Sequence, residues 1–370
     1  MMKYFIHIIL GCLLLLNSCK TFRSDIAVQK GFKAEKKGDF PVALNHYLKA
    51  NKLNPNYAWT YGSIGYIYNK AGLYNLSIPF LQKAIELEPN NISAYTNLGI
   101  AYAILEDYPQ ASQAFQKAID LDSNNLNTIN NLIHFYLEQQ DYESAIYFYE
   151  QKMRVEPNST DNYIALALVW IELENYEKSI DILNQAISLN PQLSIAYNNL
   201  GVAYQRKGDL SKAMENYQKA IELNNEEMLA YKNLAYIYVK QDNYEQAINM
   251  FNQYLLINPQ DARTYGSLSY YYIFIKDCEK AEQSAIKGLN IDSTQTWIKG
   301  NLATSLLFQN RYEEAESIFF KLREKMCYEH KTCPEMWLED FDELEKAGVI
   351  PENQKENVEK MRQLLKVTTK

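Results

Sequence analysis

The chain runs to 370 residues, yet it holds only 13 glycines, 10 prolines, 5 cysteines and 4 histidines. Glycine and proline are what interrupt regular backbone, so their scarcity favours long helices over a loop-rich architecture. The histidines are scattered through the sequence, and no catalytic set can be built around them. No glycine-rich phosphate loop and no nucleophile elbow occurs, and the many carboxylates fall on helix faces expected to be solvated. Neither an enzyme nor a cofactor is expected. Positive charge is also short, with 37 Lys and Arg against 45 Asp and Glu and a formal net charge of −8. A nucleic-acid binder should show a basic face, so this balance argues against that class and against general attraction to anionic membrane surfaces.

A hydrophobic run long enough to cross a bilayer is missing too. The longest is "YFIHIILGCLLLL", residues 4–16, where about 20 apolar residues would be needed. Behind Met1, Met2 and Lys3 it suits the apolar core of a secretion signal. The alternative, a buried N-terminal helix, is disfavoured because no polar face interrupts the run. The run ends in Leu16-Asn17-Ser18-Cys19, which resembles the lipobox of bacterial lipoproteins; Leu16 and Ser18 match, and Asn17 departs from the usual small residue. The resemblance implies cleavage before Cys19, lipid on its sulfur and new amino group (palmitate or similar acyl chains), and a membrane anchor in a bacterial cell envelope. Lys20 stands where an aspartate often retains such proteins at the inner membrane, so the expected location is the outer membrane. The expected boundaries are a signal at 1–18 and a lipidated linker at 19–23.

What the chain has in abundance is tyrosine, 30 in all, and a repeat explains it. "SAYTNLGIAYAILEDYPQASQAFQKAIDLDSN" (93–124) aligns without a gap on "IAYNNLGVAYQRKGDLSKAMENYQKAIELNNE" (195–226). Nine 34-residue units begin at residues 24, 58, 92, 126, 160, 194, 228, 262 and 296. Position 20 of every unit is Ala or Ser, as expected where two helices cross closely. Position 8 is small in all but Ile133. Position 11 is Tyr68, Tyr102, Tyr136, Trp170, Tyr204, Tyr238 and Tyr272 in the seven central units. Apolar positions 4, 7, 8 and 11 fall on one face of a first helix, and positions 20, 24 and 27 point inward from a second. Pro55, Pro89, Pro157, Pro191 and Pro259 close five units.

This pattern resembles the tetratricopeptide repeat (TPR) family over residues 24–329. The expected fold is all-α: an α-solenoid of about nine helix-turn-helix repeats. Residues 330–370 leave the register and are expected to form a helical cap, with Trp337, Phe341 and Leu344 on one stripe and Val358, Met361 and Leu365 on another. Terminal units should be atypical, as Ala27, Lys30 and Lys299 are. Lys152 and Tyr254 depart from the small residue usual at position 27, and Pro79 should distort the second helix of its unit.

The resemblance implies a protein or peptide partner held in a concave groove by positions 2, 5, 6, 9, 12 and 13 of the first helices. Position 6 is Asn97, Asn131, Asn199, Asn233 and Asn301 in five units. These amides would either grip an extended ligand or bond only within the solenoid. Positions 9, 12 and 13 are rich in apolar residues, among them Phe32, Ile104, Leu168, Ile171, Tyr236, Tyr270, Ile273, Phe274, Leu307 and Phe308, while Trp59 and Trp297 occupy position 2. Such a surface marks a binding site unless its side chains pack on adjacent helices. Arg206, Lys232, Lys240 and Arg263 would receive an acidic segment or a C-terminal carboxylate. A second class is a glycan or small-ligand binder, since aromatic rings stack on sugars. Self-association is a further property of such arrays. Cys278 takes a packing slot. Cys327, His330 and Cys333 supply three zinc ligands where a structural site needs four, so no metal is expected. In an oxidising compartment a Cys327–Cys333 disulfide is.

Overall fold

The computed structural model describes residues 20–328 and 331–366. The predicted signal, the predicted lipidation site Cys19 and His330 lie outside the described residues. The fold is all-helical, a solenoid of helices packed in consecutive pairs. The first helices of the repeats are α1 (residues 20–35), α3 (Ala58–Lys70), α5 (Ile92–Ile104), α7 (Leu126–Glu138), α9 (Thr160–Glu172), α11 (Ser194–Lys207), α13 (Met228–Lys240), α15 (Ala262–Phe274) and α17 (Thr296–Phe308). The second helices are α2 (Phe40–Leu53), α4 (Tyr74–Leu87), α6 (Tyr108–Leu121), α8 (Tyr142–Val155), α10 (Tyr176–Leu189), α12 (Leu210–Leu223), α14 (Tyr244–Ile257), α16 (Cys278–Ile291) and α18 (Tyr312–Leu322). Two compact units divide the chain between Val169 and Trp170, inside α9.

Each hairpin turns through one left-handed residue at position 15. Glycine supplies it at Gly38, Gly72 and Gly208, but Glu106, Gln140, Glu174, Asp242, Lys276 and Asn310 adopt the same positive φ. The next residue then serves both helices. Its N–H donates to the carbonyl of position 11 in all nine units, from Asp39→Ala34 to Arg311→Leu306, at 2.8–3.0 Å. That bond closes the first helix. In seven units the same residue is Asp or Asn, and its side chain accepts from the backbone N–H three residues on, as Asp209 does from Lys212 at 3.1 Å. That bond opens the second helix. Leu73 and Arg311 lack it.

With the turn fixed, every second helix starts at position 17, and position 20 arrives at the crossing. Ala43, Ser77, Ala111, Ala145, Ser179, Ala213, Ala247, Ala281 and Ala315 are all fully buried. One turn later, position 24 lies against position 8. A Cβ added at Gly99 would stand 2.7 Å from the ring of Phe115, and one at Gly201 2.6 Å from that of Tyr217. Where position 8 is Ile133, Tyr149 opposite is only half-buried.

The inward face of the first helices differs from expectation. Positions 7 and 8 are buried as expected, and so are positions 3 and 10, as with Thr128, Ala101, Ala203 and Ile237. The tyrosines at positions 4 and 11 are mostly half-buried, their rings lying along the seam between neighbours. Helix α4 runs unbroken through Pro79. The proline sits in the second turn, so the only ladder bond lost is the one to the carbonyl of Asn75.

After α18, a two-stranded antiparallel hairpin pairs β1 (Met326–Tyr328) with β2 (Lys331–Thr332), and a Cys327–Cys333 disulfide ties β1 to the following helix. That helix, α19 (Cys333–Lys346), begins at a capping box formed by Thr332 and Glu335. It packs on α17, with Trp337, Phe341 and Leu344 buried. A short 3-10 turn (Glu352–Gln354) leads into α20 (Lys355–Lys366), which buries Val358, Met361 and Leu365. Arg362 of α20 reaches Asp342 at 2.9 Å and Glu345 at 2.8 Å on α19.

Replacing Gln140 by Gly should raise stability by about 0.5–1 kcal/mol, because glycine adopts the left-handed conformation without a Cβ clash. Asp209→Ala should lower it by about 1 kcal/mol through loss of the N-cap. Shifts in the urea midpoint check both, and unchanged midpoints would contradict the account of the turn.

Candidate peptide-binding face

The first helices turn one face to their second helices and another outward. In the unit that starts at Trp170, the outward face of α11 and α13 carries Ile195, Leu229 and Tyr236, which are 44%, 52% and 39% exposed. Positions 2 and 9 are two turns apart on one helix, so Leu229 and Tyr236 share a face. Tyr236 is held edge-on against the buried Phe251 ring, 5.4 Å between centroids. The Asn233 amide donates to Asn198 Oδ1 at 3.2 Å and aligns α13 with α11.

The other asparagines of that row are also engaged within the solenoid. Asn97 and Asn131 donate to the carbonyls of Ser93 and Asn127 one turn back, at 2.8 and 2.7 Å. Asn301, buried, donates to the carbonyl of Gly266 at 3.0 Å. Asn199 is buried and accepts a long contact from Asn198 at 3.5 Å. Asn233 and Asn301 therefore tie neighbouring first helices together, while Asn97 and Asn131 bond within their own helices.

The four basic residues do not form one patch of free charge. Lys232 is paired with Asp261 at 3.0 Å and lies over the Tyr254 ring. Tyr254 donates to the same carboxylate at 2.9 Å. The signal for this cluster was Tyr254 itself, the large residue at position 27 of its unit; the aspartate partner has no repeat signature. Burial would raise the Asp261 carboxyl, but hydrogen bonds from Lys232, Thr264 and Tyr254 outweigh it and hold the pKa at about 2. Burial likewise opposes the Lys232 ammonium, while Asp261 drives its pKa upward on balance. Arg206, Lys240 and Arg263 are exposed.

Several apolar residues expected on the binding surface are core instead. Ile171, Ile273, Phe274, Leu307 and Phe308 are buried. Positions 12 and 13 here face a neighbouring helix, and Phe274, Leu307 and Phe308 belong to the cluster that α19 and Val349 complete. Tyr270 is covered as well, since its hydroxyl donates to Glu343 of α19 at 2.9 Å. Phe32, Trp59, Ile104 and Leu168 remain exposed in the other unit. Beside Tyr270, Asp340 of α19 is pushed up to about 7, by burial first and then by the charges of Glu343 and Glu339.

Among the described residues, no group of three His, Cys, Asp or Glu is placed to hold a metal, and no helix is long and apolar enough to cross a membrane. Among the described residues the one free thiol is Cys278, and burial pushes it up to about 11.

Residues 56–124 match the family model described as tetratricopeptide repeat. That stretch carries tetratricopeptide repeats. Residues 151–264 match the model of the tetratricopeptide repeat protein 21 C-terminal ARM domain, so both matches are to repeat modules and neither to a catalytic domain. The C-terminal part of a TPR repeat-containing protein from Cytophaga hutchinsonii shares the fold, with a TM-score of 0.56, 16% identity, and 64% of this chain and 97% of that one covered. A TPR protein from Parabacteroides merdae gives a TM-score of 0.45 at 19% identity, covering 64% and 93%. YrrB, described as a TPR protein with an unusual peptide-binding site, gives 0.42 at 22%, covering 50% and 95%. No curated protein matches the chain.

Two pH effects follow. The Asp261 pKa lies below its unfolded value, so its stabilisation is complete above about pH 4 and is lost as pH falls toward about 2. Asp261→Asn should cost roughly 1–3 kcal/mol at pH 7, and the gap to wild type should close over that interval in acid-denaturation curves. Asp340 has the opposite sign. Its raised pKa makes ionisation unfavourable to the fold, so stability of the cap falls as pH rises from about 4 to about 7. Asp340→Asn should raise the thermal midpoint at pH 8 and leave it unchanged at pH 4.

Proposed function

We propose that this protein is a non-enzymatic scaffold, tethered to a bacterial envelope membrane by lipid on Cys19, that holds a segment of a partner protein against the outward face of its first helices. The observation that carries the reading is the exposed apolar set Ile195, Leu229 and Tyr236 on helices whose other faces are buried. Exposed apolar side chains gathered on neighbouring first helices are the kind of surface that marks docking. Asn233, through its bond to Asn198, holds α11 and α13 together so that those side chains are presented side by side. Lys232 is committed to Asp261, so a carboxylate-bearing partner would find its charge partners in Arg206, Lys240 and Arg263. The tether rests on the sequence "LLLLNSCK", and it places the repeats beside clients in or near the membrane, in envelope assembly or its regulation.

Crosslinking and capture from native membranes tests both parts. Wild type should sediment with membranes and Cys19→Ala should not; a Cys19→Ala protein that stays membrane-bound would refute the lipid anchor. Leu229→Asp should remain folded and membrane-bound yet lose the partner that wild type captures. Retention of that partner would move the docking site away from α13.

A further inference from the structure

The unit that ends at Val169 carries a feature of different chemistry. Between α1, α3, α5 and the start of α7 lies a cleft of about 390 Å³, within the size range of small-ligand sites. One wall is aromatic: Phe32, Trp59 and Tyr66. Ser63 lies between Trp59 and Tyr66 on α3, and α5 and α7 offer Asn97 and Asn127. We propose that this cleft is a binding site for a neutral oligosaccharide, with Trp59 as the stacking platform and the amides of Asn97 and Asn127 as its hydrogen-bonding edge.

Trp59 is fixed for that task. The fully buried Tyr47 ring meets it edge-on, 5.3 Å between centroids at 89°, and Phe32 meets it at 6.2 Å. It is nevertheless 36% exposed. The other two rings are already occupied, since Lys36 lies 4.8 Å from the Phe32 centroid and Lys70 5.6 Å from that of Tyr66. Trp59 is therefore the aromatic surface left for a ligand. A sugar ring presents C–H groups on its face and hydroxyls at its edge. The C–H face suits the electron-rich face of an indole, and the hydroxyls suit amides that both donate and accept. Asn97 spends its N–H₂ on the carbonyl of Ser93, which leaves its Oδ1 as an acceptor, and Asn127 is exposed.

Charge selects against other occupants. The one carboxylate of the lining is Glu35, no lysine, arginine or histidine lines the cleft, and the Glu35 carboxylate already accepts from the Tyr47 hydroxyl at 2.5 Å. A cationic side chain would find no uncommitted carboxylate there, and the two lysines beside the lining, Lys36 and Lys70, are engaged on the Phe32 and Tyr66 rings. A purely apolar side chain would strand the polar wall without partners, which is unfavourable once water is displaced. The exposed apolar set on α11 and α13 lies in the other unit, so this site stands or falls independently of peptide docking there.

The test is calorimetric titration of the full chain, in a detergent without a sugar headgroup, with cellotetraose, maltotetraose and chitotetraose as probes, followed in parallel by tryptophan fluorescence. Saturable binding of at least one probe is expected. Trp59→Ala should weaken it roughly tenfold, as loss of an aromatic stacking contact does. Trp59 also touches Tyr47, so Asn127→Ala, at an exposed position, serves as the second variant and should weaken binding about threefold or more at unchanged thermal stability. Leu229→Asp should bind as wild type does. Absence of heat and of fluorescence change with all three probes overturns the proposal, and so does binding that both cleft variants leave intact. A short peptide that binds here and is lost in Trp59→Ala, where no sugar binds, would assign the cleft to a protein ligand instead.

Discussion

The left-handed residue at position 15 is the constraint on which the rest of each hairpin depends. It lets one residue close the first helix with its N–H and, in seven units, open the second with its side chain. That junction fixes where the second helix starts, and the start fixes its phase. Position 20 then falls at the crossing in every repeat, and the small residue there is a consequence. Position 24 falls against position 8, and the two sizes trade: glycine faces Phe115 or Tyr217, while Ile133 keeps Tyr149 from full burial. Six units hold the left-handed turn without glycine, at a cost of about 1 kcal/mol each. The turn is kept whatever residue fills it, as expected of the feature on which the packing of the hairpin depends.

That division of labour leaves a face with no structural duty. Positions 3, 7, 8, 10, 20 and 24 meet a neighbour in most units, and their identities are confined accordingly. Positions 2 and 9 meet one only in part, so they vary freely between units. Ile195, Leu229 and Tyr236 make one such surface apolar; Trp59, Phe32 and Asn127 make another mixed and neutral. Near the C-terminus the same face is partly consumed. Helix α19 sits where a further first helix would continue the series, and its Trp337 packs where a Cβ on Gly300 would collide with the indole. Tyr270 is consequently tied to Glu343 and withdrawn from any ligand.

What was legible in the sequence follows from the same logic. The nine small residues at position 20, the helical pairs and the cap stripes could be read because packing leaves one answer at each slot. The inward face was read one residue off, at positions 4 and 11, because tyrosine dominates those slots and looks like core; its ring is long enough to line a seam while its hydroxyl reaches outward. The left-handed turns at Glu106 or Lys276 carry no signature, since those residues are ordinary on any surface. Asparagine at position 6 was ambiguous in principle, because one amide can hold a neighbouring helix or a ligand, and composition does not say which. Lys232 looked free because its partner, Asp261, lies 29 residues away at the last position of the same repeat.

The Lys232–Asp261–Tyr254 cluster shows how a repeat acquires an individual character. Alanine at position 27, as in Ala186 or Ala220, lets the neighbouring first helix approach with nothing polar between. Tyrosine there fills the gap with a ring whose hydroxyl needs a partner, and Asp261 supplies it. The carboxylate in turn caps α15 through the N–H groups of Arg263 and Thr264 and takes the charge of Lys232. One departure from the repeat thus recruits a cap, a cation and a ring into a single half-buried network. A lysine bound in that way gives up its charge to the fold, and of the four basic residues read from the sequence the exposed ones are Arg206, Lys240 and Arg263. The other unit keeps Ala84 and Ala118 at position 27 and breaks the pattern there at the half-buried Lys152, while its exposed aromatic departures fall at positions 2 and 9. Where a repeat breaks its own pattern on an inward slot, the change is absorbed as structure; where it does so on an outward slot, the change is left to meet a ligand.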